Sequence, residues 1–114
     1  MLVVDDSAET CELYAEFLSA AFRVVTATSG LEALHKALHL RPSAVVIDLQ
    51  LPDMRGEEAI RALRRDDRTR HTAVLVVSGF EEPQNAEPFW DAYFVKPCNL
   101  QVLMACIDQM ISPM

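Results

Sequence analysis

Short runs of apolar, mostly β-branched residues alternate along the chain with longer stretches in which apolar residues recur every three or four positions. Leu2-Val3-Val4 is the first such run, and it stops at Asp5-Asp6. Because polar and apolar residues do not alternate in it, the run predicts a strand buried on both faces. Ser7 can cap the helix that follows. Tyr14, Phe17, Leu18 and Ala21 share one face of that helix, with Glu9, Glu12 and Glu16 mostly elsewhere. Arg23–Ala27 predicts a second strand. Ser29-Gly30-Leu31-Glu32 has the Ser-x-x-Glu spacing of a capping box, and Leu31, Leu34 and Leu38 set the face of a second helix that Pro42 ends.

The alternation continues. Ala44–Ile47 is the most apolar strand and ends at Asp48. A loop from Leu49 to Gly56 contains Pro52, and a third helix is predicted from about Glu57 to Arg65, with Ala59, Ile60 and Leu63 inward. Ala73–Val77 predicts a fourth strand, ending at Ser78-Gly79. Tyr93-Phe94-Val95 predicts a short fifth, followed by Lys96-Pro97, and a last helix runs from about Asn99 to Ile111 on Leu100, Leu103 and Ile107. Residues 80–91 lack a clear period. Pro83 and Pro88 lie there, and a proline inside a helix costs about 3 kcal/mol. A helix between the fourth and fifth strands, fourth in order, is therefore expected to be short, distorted or missing. Five strands separated by helices predict an α/β fold, a doubly wound five-stranded parallel sheet covered on both faces. Right-handed crossovers leave few topologies, and ligands of such open sheets lie beyond the carboxyl ends of the strands.

Composition narrows the function. The 114 residues predict one domain, 1–114, and 51% hydrophobic against 24% charged residues is enough for a packed core. Ten Lys and Arg against seventeen Asp and Glu leave a net charge of −7, which argues against nucleic acid and against an anionic membrane surface as partners. No apolar run approaches the roughly 20 residues that span a bilayer. Met1 leads into the first strand without a basic region or a long apolar stretch, so no signal peptide is expected and a cytoplasmic location is. Cys11, Cys98 and Cys106 are odd in number, have no Cys-x-x-Cys spacing and do not group with His35, His39 and His71. They read as three reduced, mostly buried thiols.

Chemistry gathers at the strand ends: Asp5 and Asp6 after the first, Asp48 after the third, Ser78 after the fourth, Lys96 after the fifth. Three clustered carboxylates repel, and a hard divalent cation such as Mg²⁺ supplies the counter-charge while leaving room for a phosphate oxygen. Lys96 is a point charge suited to such an oxygen, and Ser78 can donate to it. A carboxylate is itself a nucleophile toward phosphorus. The set suits phosphoryl transfer onto an aspartate.

Taken in order, Leu2-Val3-Val4-Asp5-Asp6, Asp48-Leu49-Gln50-Leu51-Pro52-Asp53-Met54-Arg55-Gly56, Val76-Val77-Ser78-Gly79 and Tyr93-Phe94-Val95-Lys96-Pro97 resemble the receiver domain of two-component response regulators over the whole chain. The resemblance implies a flavodoxin-like strand order 2-1-3-4-5. It implies Asp48 as phosphoacceptor and Asp6 as direct Mg²⁺ ligand, with Asp5 holding a metal-bound water or acting from behind the ligand. Asp48 and the backbone carbonyl of Gln50 would complete the protein ligands. Lys96 would bind a phosphoryl oxygen, with a cis Lys96-Pro97 bond, while Ser78 would move toward the phosphoryl group and Tyr93 would turn inward after it. A histidine kinase or histidine phosphotransfer protein would be the donor, and an output partner of unknown identity the reader. The chain would not be a turnover enzyme. Gln50 and Phe80 stand where the family tunes phosphoryl lifetime, and slow autodephosphorylation is expected.

Each residue also has a plainer reading. Asp5-Asp6 suits a helix N-terminus, Asp48 and Ser78 suit turns, and Tyr93 can be an ordinary packed aromatic. Phe80, Phe89, Trp90 and Phe94 read as packing in the gap left by a poor helix, or as a partner surface. Arg61, Arg64, Arg65, Arg68 and Arg70 read as a solvated helix end. The alternative function is a receiver-like interaction module that works without phosphate. Its mark would be a missing acidic or Lys site residue, and none is missing.

Overall fold

The computed structural model describes residues 1–84 and 89–112. Among these residues nine elements follow one another: β1 (Leu2–Val4), α1 (Ala8–Leu18), β2 (Val25–Ala27), α2 (Gly30–Leu40), β3 (Ala44–Ile47), α3 (Gly56–Arg65), β4 (Ala73–Ser78), β5 (Ala92–Val95) and α4 (Leu100–Ile111). All four strand pairings are parallel, in the order β2-β1-β3-β4-β5. The doubly wound, flavodoxin-like sheet expected from the sequence is the one observed.

Register places the site. Val4 stands beside Ala27 on one flank and Ile47 on the other, and Val76 beside Ile47 and Tyr93. The ladder then runs one residue past each strand. The Asp5 amide donates to the Ala27 carbonyl at 3.1 Å, the Asp48 amide to Val4 at 3.0 Å, and the Lys96 amide to Ser78 at 2.7 Å. Backbone hydrogen bonds thus fix where the three charged side chains leave the sheet.

Successive strand residues feed opposite faces. Leu2, Val4, Val45, Ile47, Val74 and Val76 pack under α2 and α3, against Ala33, Ala37, Ile60 and Leu63. Val3, Val46, Leu75 and Val77 pack under α1 and α4, against Tyr14, Leu18, Leu103 and Ile107. Strands buried on both sides explain why the sequence runs are continuously apolar.

Two helix faces differ from expectation. α1 ends at Leu18, where the Ser19 amide bonds back to Ala15, and Ala21 lies exposed beyond it. In α2 the buried residues are Gly30, Ala33 and Ala37, while Leu31 is 67% exposed. Small residues spaced three and four apart let this helix sit close to the sheet, and Leu34 and Leu38 flank the contact half-buried. Arg41 closes the helix in the left-handed region, φ 49°, directly before Pro42.

Between β4 and β5 the described residues form no helix, as the prolines predicted. Pro88 falls within 85–88, outside the described residues. Side chains do the work of a helix face here. Trp90 is buried against the α2–α3 core with Phe89 and Tyr93 beside it, and its indole N–H donates to Glu82 at 2.7 Å. Of the aromatic stretch, Phe94 is half-buried on the opposite face, and Phe80 is 61% exposed.

Arg64 corrects the reading of the arginines as a solvated helix end. From α3 its guanidinium donates to the carbonyls of Phe89 (3.0 Å), Arg70 (2.9 Å) and Thr72 (2.6 Å) and to the Asp91 carboxylate (3.0 Å). The same Asp91 oxygen accepts the Val74 amide at 2.8 Å. One side chain thereby ties the start of β4 to the start of β5. Arg61 lies 4.8 Å over the Phe89 ring. Arg64→Met keeps the stem and removes these donors. It is expected to cost about 1–2 kcal/mol, since bonds to a charged donor are strong but this one is partly solvated. A lowered urea midpoint at unchanged slope would be the signature.

Candidate functional site

Asp5 and Asp48 are each more than nine-tenths buried at the carboxyl edge, side by side on adjacent strands, and Asp6 is exposed at the mouth. Oxygen atoms of the three lie within 4.8 Å of one another. Lys96 arrives from β5, and its ammonium donates to Asp5 Oδ2 at 2.9 Å and to Asp48 Oδ2 at 2.8 Å. Desolvation pulls the Lys96 ammonium down, but the hydrogen bonds and charges of Asp48 and Asp5 outweigh it and hold it above the ordinary lysine range. Three carboxylates and one ammonium leave this cluster at −2. Asp6 is pushed up, first by desolvation and then by its hydrogen bond and charge contacts with Asp5 and by Asp48.

The remaining lone pairs orient the acids. Asp5 Oδ1 accepts the Ser7 amide at 2.9 Å, where α1 begins. Asp48 Oδ1 accepts the Gln50 amide at 3.0 Å, which places Gln50 directly beside the carboxylate. Cys11 lies beneath, its thiol donating to the carbonyls of Asp5 (3.4 Å) and Ala27 (3.6 Å). Burial pushes that thiol up, so it stays a neutral donor. All three cysteines are free, as expected, although only Cys11 is fully buried.

The loop after β3 is held by contacts that sequence reasoning missed. Gln50 and Arg55 pair across its neck, and the Gly56 amide donates to Leu49 at 2.8 Å. A Cβ on Gly56 would stand 2.6 Å from Leu49 Cα and 2.7 Å from the Asp48 carbonyl, so only glycine lets α3 start this close to Asp48. Asp53 places one oxygen on the Gly30 amide (2.8 Å) and the other on the Leu31 amide (2.9 Å), capping α2 from another loop. Those backbone donors hold the Asp53 carboxyl below its usual range. Met54 lies directly over Gly30. Only the Pro-Asp-x-x-Gly turn chemistry signalled any of this, and it gave no partner.

The other two residues singled out, Ser78 at the end of β4 and Tyr93 on β5, are joined to a different segment. The Ser78 hydroxyl accepts the Phe80 amide at 3.3 Å. The Tyr93 hydroxyl donates to the carbonyls of Phe80 (2.8 Å) and Glu81 (3.3 Å). Ser78, Tyr93 and Phe80 border an open trough of about 710 Å³ whose other wall is the Leu49–Glu58 segment. Lys96-Pro97 is cis. The all-oxygen set of Asp5, Asp6 and Asp48 suits a hard divalent cation, and the paired ammonium suits an anionic oxygen beside it.

Comparison with known proteins agrees with this geometry. The family described as the response regulator receiver domain matches residues 1–108. The chain is 30% identical over 105 residues to the polar-differentiation response regulator DivK of Brucella anthropi, covering 88% of this chain and 85% of that one. The chemotaxis response regulator CheY4 of Vibrio cholerae superposes with a TM-score of 0.84 at 27% identity, over 96% of this chain and 95% of its own. A sensor protein from Polaromonas sp. JS666 superposes with a TM-score of 0.85 at 32% identity, over 96% and 93%.

Two substitutions probe the site's construction. Lys96→Met removes the charge that compensates two buried carboxylates and is expected to cost about 1–3 kcal/mol, reduced from a fully buried pair by the one-third exposure of Lys96. The lysine is raised in the fold, so its contribution is complete below the unfolded value of about 10.4 and fades as pH climbs above it. Paired urea titrations should show a constant gap at neutral pH that narrows in strong base. Gly56→Ala forces its methyl into backbone and is expected to cost about 1–3 kcal/mol, with amide shifts centred on Asp48 and Leu49 in a ¹⁵N correlation spectrum.

Proposed function

The chain belongs to the response regulator receiver domain family, and on that premise we propose that it accepts a phosphoryl group on Asp48 from a histidine kinase or histidine phosphotransfer protein, with Mg²⁺, and changes its surface for an output partner. The observation that supports this best is the Lys96 ammonium held 2.8 Å from Asp48 inside the Asp5, Asp6 and Asp48 cluster. In the transfer, an Asp48 carboxylate oxygen bonds to phosphorus as the donor's phosphorus–nitrogen bond breaks, and the imidazole leaves with that electron pair. Mg²⁺ would be held by Asp6, Asp48 and the Gln50 carbonyl, with Asp5 on a coordinated water, and would neutralise the charge on the transferring oxygens. Lys96 neutralises one of those oxygens from the other side. The Gln50 amide on Oδ1 holds the acceptor carboxylate in one orientation.

The switch follows from charge. A phosphoryl group adds about −1.5 to −2 charges. Inverting a two-state equilibrium from 1:99 to 99:1 needs about 5.5 kcal/mol. Hydrogen bonds to charged groups supply about 1.5–3 kcal/mol each, so Ser78 and Lys96 together reach that order. Ser78 is the hydroxyl drawn in, and Tyr93 follows it. The domain, residues 1–114, is a signalling module without turnover and works in the cytoplasm.

Intact mass after treatment with acetyl phosphate, with and without Mg²⁺, tests the proposal beside an Asp48→Asn control. One added phosphoryl group that requires both Mg²⁺ and Asp48 is expected. No addition, with Mg²⁺ binding confirmed and a known receiver labelled in parallel, would support a module that works without phosphate.

A further inference from the structure

We infer that the trough beside the acidic cluster is a docking site for a cationic, apolar segment of a partner protein, and that the unphosphorylated form binds it. This rests on the phosphoacceptor reading above. Its lining includes the apolar side chains of Leu51, Met54 and Phe80 and the ring of Tyr93. Phe80 is 61% exposed, a large apolar surface left open at the mouth of a polar site. The charged residues of the same lining are mostly acidic: Asp53, Glu57, Glu58 and Glu81 against the single cation Arg55. A lining that combines apolar side chains with a net charge of −3 is complementary to Leu- or Phe-type side chains flanked by Lys or Arg. At about 710 Å³ the space matches several side chains, and it is an open trough. A small ligand wants most of its surface buried, which a trough does not provide, whereas a protein segment needs one face covered.

The wall at Phe80 and Glu81 joins this trough to the acceptor. Three hydrogen bonds hold it: the Phe80 amide to the Ser78 hydroxyl, and the Tyr93 hydroxyl to the carbonyls of Phe80 and Glu81. They use the two side chains assigned to the switch. Drawing Ser78 to a phosphoryl group takes the acceptor from the Phe80 amide, and turning Tyr93 inward takes the donor from both carbonyls. The wall as described therefore belongs to the resting form, and phosphorylation dismantles it.

Fluorescence anisotropy tests this with the full chain and a short fluorescein-labelled peptide of alternating Lys and Leu, beside its Glu and Leu counterpart. The Lys peptide is expected to bind and the Glu peptide not. The double variant Glu57→Lys, Glu58→Lys should weaken binding by about tenfold or more. Glu9→Lys with Glu12→Lys changes net charge equally on α1 and should change affinity less than about twofold. Phe80→Ser, at an exposed position that the fold does not need, should also weaken it, with circular dichroism confirming the fold of each variant. Beryllium trifluoride with Mg²⁺, a stable phosphoryl mimic, should lower affinity in the protein and leave Asp48→Asn unchanged. Equal losses from the two charge pairs, or full binding by Phe80→Ser, would overturn the docking site. Unchanged affinity in the mimic-bound protein would overturn the coupling to the resting form. Failure of the mimic to bind, with peptide binding intact, would instead count against Asp48 as acceptor.

Discussion

The site depends on one ammonium group reaching across the sheet. β5 and β3 are separated by β4, and strands in a sheet lie about 4.8 Å apart. Lys96 and the acids therefore reach toward one another across two strand spacings, about 10 Å, for Asp48, and across three for Asp5. Between them, β4 ends at the buried Ser78. Ser78 bears one hydroxyl, and a Cβ on Gly79 would meet nothing within 4 Å. Without the ammonium, Asp5 and Asp48 would face each other buried and uncompensated, a state that buried carboxylates relieve by taking up protons or a cation.

That constraint explains which features were legible in the sequence. The strands were, because each is buried on both faces and must read as an apolar run. Asp5, Asp48, Ser78 and Lys96 were, because they occupy the last ladder position or the first beyond it, and a parallel sheet brings those positions to one edge. Helix faces were less legible. Leu31 outweighs Ala33 and Ala37 in any count of hydrophobicity, yet close packing on the sheet selects the small residues and leaves the leucine outside. The support of the site was least legible. The Asp53 cap on α2, the contact of Gly56 with the Asp48 carbonyl and the reach of Arg64 to three carbonyls join residues remote in sequence. No local period encodes them, and they exist only once the sheet has formed.

The region between β4 and β5 shows the same logic. The first three crossovers each carry a helix whose apolar face covers the sheet, and the residues described between β4 and β5 form none. Here Trp90 supplies a comparable apolar payload in one side chain, and Phe89 and Tyr93 extend it. Arg64 and Asp91 supply backbone partners that a helix would otherwise have ordered. Cover is thus achieved by a few large anchors, with Phe80 left over at the surface.

Cover by side-chain anchors, in the described part of this crossover, changes how a switch can work. A helix responds as a body, because its internal hydrogen bonds hold it together. The Phe80–Glu81 wall is held by three bonds from Ser78 and Tyr93, so whatever moves those side chains acts on it directly. Linkage then runs both ways. A ligand that prefers the intact wall must oppose phosphorylation of Asp48 by the same factor by which phosphorylation opposes the ligand. A partner seated in the trough would therefore set the ease of phosphorylation as well as read it, and the net charge of −3 among its lining residues makes that influence sensitive to ionic strength.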